Sequence, residues 1–318
     1  MKAKTHSPSG DLKKPILSIG MPIYNGARFV QEAIDSILEQ DCDLELIISD
    51  NGSTDGTEKI CRQYASKDGR IRYHRYDENR GAAWNYNNCF ILSQSRYFKW
   101  AAYDDKLAPD FGAKCLSVLE DNPDVVLAYP RATVIDEVGK FVRYDSDRLD
   151  LTDERPHVRF RMYFEAYTGH NICNPVFGVF RSDVLARTKL IGNFLTSDRI
   201  LLGEIALHGK IHEVPEDLFY FRWHPHNSMC GYSAAERILW FDPSNKGKLF
   251  LSNWVFFHNW SDSIAKAPMS SGEKFLCTVQ LYRWGLQNIG TLSKELLKGI
   301  LWPVLRRTPF YRGRDTGY

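Results

Sequence analysis

The first hundred residues alternate between two hydrophobic periods, and few folds accommodate that. Ile16 to Met21 is a short apolar run ending at Pro22, which reads as a buried strand. Phe29, Ala33 and Ile37 then fall four apart beside Val30, Ile34 and Leu38, one broad stripe on a helix. Leu44 to Ser49 is a second strand, residues 57–64 a short helix, residues 71–76 a strand, 82–94 a helix and 96–101 another strand. Repetition on this scale predicts an α/β fold: a mixed, mostly parallel sheet flanked by helices. Right-handed crossovers then gather the loops after the strand C-termini along one edge. The polar clusters Tyr24-Asn25-Gly26, Asp50 to Asp55 and Asp104-Asp105 all fall on those loops. A ligand crevice is expected there.

Beyond Pro109 the pattern continues less regularly, with a helix through Cys115 and Leu119 and a strand over 125–129. Residues 139–160 are charge-rich and read as a mobile connection, residues 161–168 and 198–208 as helices, and 218–223 as a strand. From Ala234 the chain turns helical and aromatic. The expected organisation is a loose tail over 1–14, a main domain over 15–230 and a helical, basic extension over 231–318.

Lys and Arg total 41 against 39 Asp and Glu, so no overall field selects a nucleic-acid partner. With 43% hydrophobic residues, the chain has ample material for a large core. None of the seven Cys form a C-x-x-C pair, and several sit in apolar runs, which reads as reduced structural thiols in a cytoplasmic protein. No run approaches the about 18–20 apolar residues of a spanning helix. Any membrane contact is expected to be peripheral, on the inner face.

Four constellations carry chemistry. Ser49 to Thr57 follows a buried strand and suits a strand-to-helix turn capped by Thr54 or Asp55. An EF-hand reading of the same residues fails, because its twelfth position is Arg62 rather than a bidentate Glu. Asp104 and Asp105 are adjacent carboxylates at a strand end, either an acidic surface turn or a pair compensated by a divalent ion carrying phosphates. Thr196 or Ser197 would cap a helix and place Asp198 in its first turn, where the helix dipole alone accounts for a carboxylate. His224 and His226 flank Pro225, as metal ligands or as plain surface residues.

Taken together, their order and spacing closely resemble the family 2 glycosyltransferases of GT-A (Rossmann-like) fold. The match runs from Pro22-x-Tyr24-Asn25 and Asp50 to Thr57 through Glu78-Asn79-Arg80-Gly81, Asn85, Asp104-Asp105 and Ser197-Asp198 to Arg222-x-His224. The resemblance covers about residues 15–230 and not the extension. It implies an inverting transferase that moves a sugar from a nucleoside-diphosphate donor, UDP-linked in many members, to a glycan or lipid-linked acceptor. Carried onto this chain, it implies Pro22 and Tyr24 as a pocket wall, Asp50 as acceptor for the base, and Asn79 with Arg80 (or Arg75) at the nucleotide. It further implies Asp104 at the ribose, Asp105 and His224 on a divalent metal (Mn²⁺ or Mg²⁺), and Asp198 as general base. Two positions depart from the commoner pattern: Ala102 stands where an Asp often precedes the pair, and Ser197 where a Glu often precedes the base.

Two rival readings fit part of the pattern. A sugar-phosphate nucleotidyltransferase should carry a Gly-rich basic loop after the first strand, whereas Tyr24 to Arg28 holds one Gly. A non-catalytic nucleotide-sugar binding module would not need Asp198. In the extension, Leu292, Leu296, Leu297, Ile300 and Leu301 recur at helical spacing beside Lys294, Lys298, Arg306 and Arg307. That pattern suits either an interfacial helix seeking anionic lipid or a helix packed on its own domain or a second subunit.

Overall fold

The computed structural model describes residues 14–145, 148–167, 174–225, 227 and 233–307. The alternation read from the sequence is present: β1 (Leu17–Ile23), α1 (Val30–Leu38), β2 (Leu44–Asp50), α2 (Thr57–Ala65), β3 (Ile71–Arg75), α3 (Ala82–Leu92) and β4 (Tyr97–Trp100). There follow β5 (Lys106–Leu107), α4 (Phe111–Asp121), β6 (Val125–Ile135), β7 (Phe141–Tyr144), α5 (Pro156–Tyr167), β8 (Val179–Arg181), the single turn α6 (Ser182–Leu185), α7 (Ser197–His208) and β9 (Lys210–Arg222). Four helices close the described chain: α8 (Ala234–Phe241), α9 (Ser252–Lys266), α10 (Ser271–Gln287) and α11 (Ile289–Leu305).

The strands form one sheet in the order β3-β2-β1-β4-β8-β6-β9-β5, with β7 paired to β6. β1 to β4 are parallel, and β8 runs antiparallel to both β4 and β6. β6 and β9 therefore point the same way as β1 to β4, and their C-termini share one edge. One sheet face packs on α1, α2 and α4; the other packs on α3, α5 and α7.

Three expectations need correction. β1 does not stop at Pro22 but pairs through Ile23, because β4 ends opposite Gly20 and leaves no ladder on that side for the missing N–H to break. β6 and β9 extend well past 125–129 and 218–223, and they carry Pro130 and Pro215 inside them. Pairing shifts register next to Pro130, which absorbs that residue as an irregularity in the ladder. The described part of 139–160 is ordered structure: β7 pairs with β6, Leu149 and Leu151 are buried, and Leu151 bridges Ile211.

The C-terminal helices share the second core. Trp260 on α9 is fully buried among Phe160 and Phe164 of α5, Phe256 of its own helix and Trp284 of α10. Gly203 on α7 makes that closeness feasible, since a Cβ there would stand 2.8 Å from both Trp260 Nε1 and Tyr163 Cε1. Emptying this site should cost about 3–5 kcal/mol, so Trp260→Ala is expected to lower the denaturation midpoint sharply within a single transition. A separate early transition that leaves the main unfolding unchanged would show the helices to be an independent unit.

Beneath the site edge, Lys99 on β4 is fully buried, donating to the Trp100 carbonyl at 2.8 Å over the Phe111 ring. Burial pulls its pKa from 10.5 down to about 7. Between those values the unfolded chain holds the extra proton, so this residue makes stability rise with pH from about 7 towards 10.5. Lys99→Met should flatten that rise in urea titrations at stepped pH; an unchanged slope would contradict it.

Candidate active site

The loops after β1 and β2 are fastened to each other. Asn25, at φ 54°, donates its amide to Ser53 Oγ at 2.9 Å and accepts from the Thr54 amide at 2.8 Å. The Gly26 and Ala27 amides reach Thr57 Oγ1 and Asp55 Oδ2 at 2.9 and 3.1 Å. Asp55 also accepts from the Thr57 amide at 2.9 Å, which satisfies a donor at the start of α2; the turn is present, but the cap position is Gly56, without the side-chain cap expected from Thr54 or Asp55. Hydrogen bonds hold the Asp55 carboxyl below the usual range, despite an opposing push from partial burial. Of the two residues expected to wall a pocket, Pro22 is buried and Tyr24 is 37% exposed.

Asp50 ends β2 with no exposed surface. Its Oδ1 accepts from the Ser53 amide at 2.8 Å and its Oδ2 from the Tyr73 hydroxyl at 2.6 Å. Arg75 Nε lies 4.0 Å from Oδ2 and 2.9 Å from Glu58. Burial and the Asp50 carboxylate push the Tyr73 hydroxyl pKa far up, so it stays a donor. Both oxygens of Asp50 are thus engaged by internal donors. Asn79 is likewise engaged internally, its Oδ1 accepting from Asn51 Nδ2 and the Gly81 amide, both at 2.9 Å. Gly81 holds φ 87°, and a Cβ there would meet the Phe241 carbonyl at 2.5 Å. Arg80 stacks on Trp84 at 4.8 Å and on Tyr76 at 5.6 Å, with its side chain 45% exposed.

Asp104 and Asp105 are not an acidic surface turn. Asp105 is 6% exposed and accepts from the Arg222 amide at 2.8 Å through Oδ1. Burial, then the neighbouring Asp104 charge, raises its pKa well above the carboxylate range. Nor is His224 a surface residue. It is 3% exposed, packs on Phe29 with ring centroids 4.9 Å apart, and places Nε2 2.9 Å from Asp104 Oδ2. His224 thus meets Asp104, the carboxylate expected at the ribose, rather than Asp105. Its buried Nδ1 has no partner among the described residues. His226 lies outside the described residues.

Arg222 joins these parts, a role that the sequence did not suggest. Its Nε donates to the Asp104 carbonyl at 2.7 Å, one terminal nitrogen to the Glu137 and Asp136 carbonyls at 3.0 and 3.3 Å, and the other to Glu32 at 2.9 Å. Glu32 sits in the first turn of α1, where nothing in the sequence marks it.

Asp198 lies in the first turn of α7. Thr196 occupies the cap position at φ 63° without a capping hydrogen bond, and its hydroxyl turns back to the Leu195 carbonyl at 2.6 Å. The expected Thr or Ser side-chain cap is therefore absent. α7 runs into β9 through Gly209 alone. Among the described residues, no group of three or more His, Cys, Asp or Glu stands together as a ready metal cage.

Comparisons with known proteins agree with this architecture. An uncharacterized glycosyltransferase of Rickettsia typhi is 35% identical over 162 residues, 48% of this chain and 47% of that protein. A putative teichuronic acid biosynthesis glycosyltransferase of Bacillus subtilis, TuaG, is 38% identical over 98 residues, 30% of this chain and 39% of that protein. The matched region thus spans about half or less of these curated relatives. Among solved structures, S. aureus TarS 1–349 in complex with UDP-GlcNAc superposes with a TM-score of 0.62 at 13% identity, covering 90% of this chain and 80% of that one. The mannosyltransferase PcManGT of Pyrobaculum calidifontis, in complex with GDP-Man and Mn²⁺, superposes at 0.51 with 16% identity, covering 95% and 83%. At such identities the structures speak for the fold, which is GT-A. The profile of glycosyl transferase family 2 matches residues 18–188, more than half of the chain, which therefore belongs to that family.

Proposed function

We propose that the protein transfers a sugar, with inversion, from a nucleoside-diphosphate donor, UDP-linked, to a hydroxyl of a glycan or lipid-linked acceptor in polysaccharide or glycoconjugate synthesis. The observation that supports this reading is that Asp50 ends β2 while Asp105 and the Asp104–His224 pair are held at the end of β9, both strand C-termini of one sheet in a family 2 chain. The name of TuaG supports the polymer context, and the UDP-GlcNAc complex of TarS supports the donor class.

In this reading Tyr24 and Arg80 border the nucleotide, Asp50 takes the base N–H and Asp104 faces the ribose. A divalent cation suits the corner, because the neighbouring Asp104 charge disfavours ionisation of Asp105 and His224 keeps a buried nitrogen without a partner among the described residues. Asp105 and His224 would hold it, with the remaining positions supplied by diphosphate oxygens and water. Bound there, it would neutralise charge developing on the departing diphosphate. Asp198 removes the proton of the acceptor hydroxyl as that oxygen attacks the anomeric carbon from the face opposite the leaving group. One displacement inverts the configuration.

A thermal-shift and calorimetry panel of UDP-, GDP- and dTDP-sugars with and without Mn²⁺ tests the reading. Metal-dependent binding of UDP-sugars is expected, and silence across the panel would reject it. Asp198→Asn should leave donor affinity unchanged while turnover falls by about 10²–10⁴-fold, and retention of most activity would remove the base assignment. Asp105→Asn and His224→Gln should each weaken Mn²⁺-dependent donor binding by about tenfold or more. Calorimetric affinities equal to the parent's would refute the metal role.

A further inference from the structure

The outward faces of α10 and α11 invert the usual rule for surface helices. On α10, the buried residues Cys277, Leu281 and Trp284 face the core. The opposite stripe should be polar, yet it is Phe275, Val279, Tyr282 and Leu286, with Phe275 and Leu286 67% and 70% exposed. On α11 only Leu292 is buried, while Ile289, Leu296, Leu297, Ile300, Leu301 and Val304 are all exposed. Their spacing places them on one stripe, bordered by Lys294. The packed-helix reading thus accounts for Leu292 and leaves the rest of the pattern unexplained. Leu286 and Ile289, both exposed, flank the joint at Asn288.

Charge on these two helices is as uneven as hydrophobicity. Their acids turn inward: Glu273 pairs with His157 Nδ1 at 2.8 Å, and Glu295 accepts from the Asn253 amide at 3.0 Å. The exposed charges, Arg283 and Lys294 with Arg306 and Arg307 just beyond α11, are all basic. No helix among the described residues is long and apolar enough to cross a membrane.

We infer that the outer face of α10 and α11 is a docking surface for an anionic lipid bilayer, the apolar stripes entering the headgroup boundary and the basic residues resting on acidic headgroups. Apolar stripe and one-signed charge together are what such a surface selects. A second copy docked through this face would set one basic surface against another. The inference rests on the helices alone and stands whether or not the proposed transfer reaction is correct.

Flotation of the full chain tests it, using phosphatidylcholine vesicles with and without about 30% phosphatidylglycerol. The protein should float with the anionic vesicles and be released at high salt. Leu297→Glu combined with Ile300→Glu, both at exposed positions, should reduce partitioning by about tenfold or more, with thermal stability unchanged. Lys294→Gln should weaken binding to anionic vesicles and leave the weak binding to neutral ones alone. Failure to float with either vesicle, or equal flotation of parent and double variant, overturns the inference. So does a parent that is oligomeric in solution and becomes monomeric in the double variant, which would make the face a subunit interface.

Discussion

A single buried guanidinium holds the site edge together. Arg222 has essentially no solvent exposure, and its donors end on carbonyls or carboxylates from the Asp104–Asp105 loop, the β6–β7 connection and α1. A buried charge is tolerated only when it is paired and fully hydrogen-bonded, which Glu32 and these carbonyls provide. The planar fork suits that task, since a lysine ammonium could not reach acceptors on three separate elements. Because the main-chain amide of the same residue holds Asp105, the placement of both carboxylates depends on where β9 ends.

The half of the fold that was legible is the half whose strands are short, apolar and flanked by clean helical stripes. β1, β2 and β4 are buried along their whole length, so their residues announce themselves. β6 and β9 carry Pro130 and Pro215 inside them, and only the paired register reveals that the ladder slips past Pro130. β7 escaped notice because all four of its residues are exposed and it leans on a single neighbour. Leu149 and Leu151 sit among charges, and their burial comes from tertiary contacts that no local period encodes.

The site divides similarly. Asp50, Asp104, Asp105 and His224 stood out because polar residues directly after apolar strands have few structural reasons to be there. Tyr73, Glu32 and the fastening role of Arg222 did not, since each acts on a residue far away in sequence. The internal duties of Asp50 and Asn79 were also invisible. Both were read as ligand contacts, and both are engaged in loop hydrogen bonds that a ligand would have to share.

The stitching between the loops after β1 and β2 has a thermodynamic consequence. Asn25, Ser53, Thr54, Asp55 and Thr57 satisfy one another, so both loops are ordered by the protein itself. Any ligand that touches these loops meets backbone already ordered, and little of its interaction energy is spent on freezing it. The same reciprocity ties the two segments' tolerance to change. An alteration in either loop unpairs donors in the other, so substitutions at Asn25 and at Ser53 to Thr57 are coupled energetically although more than a whole helix separates them.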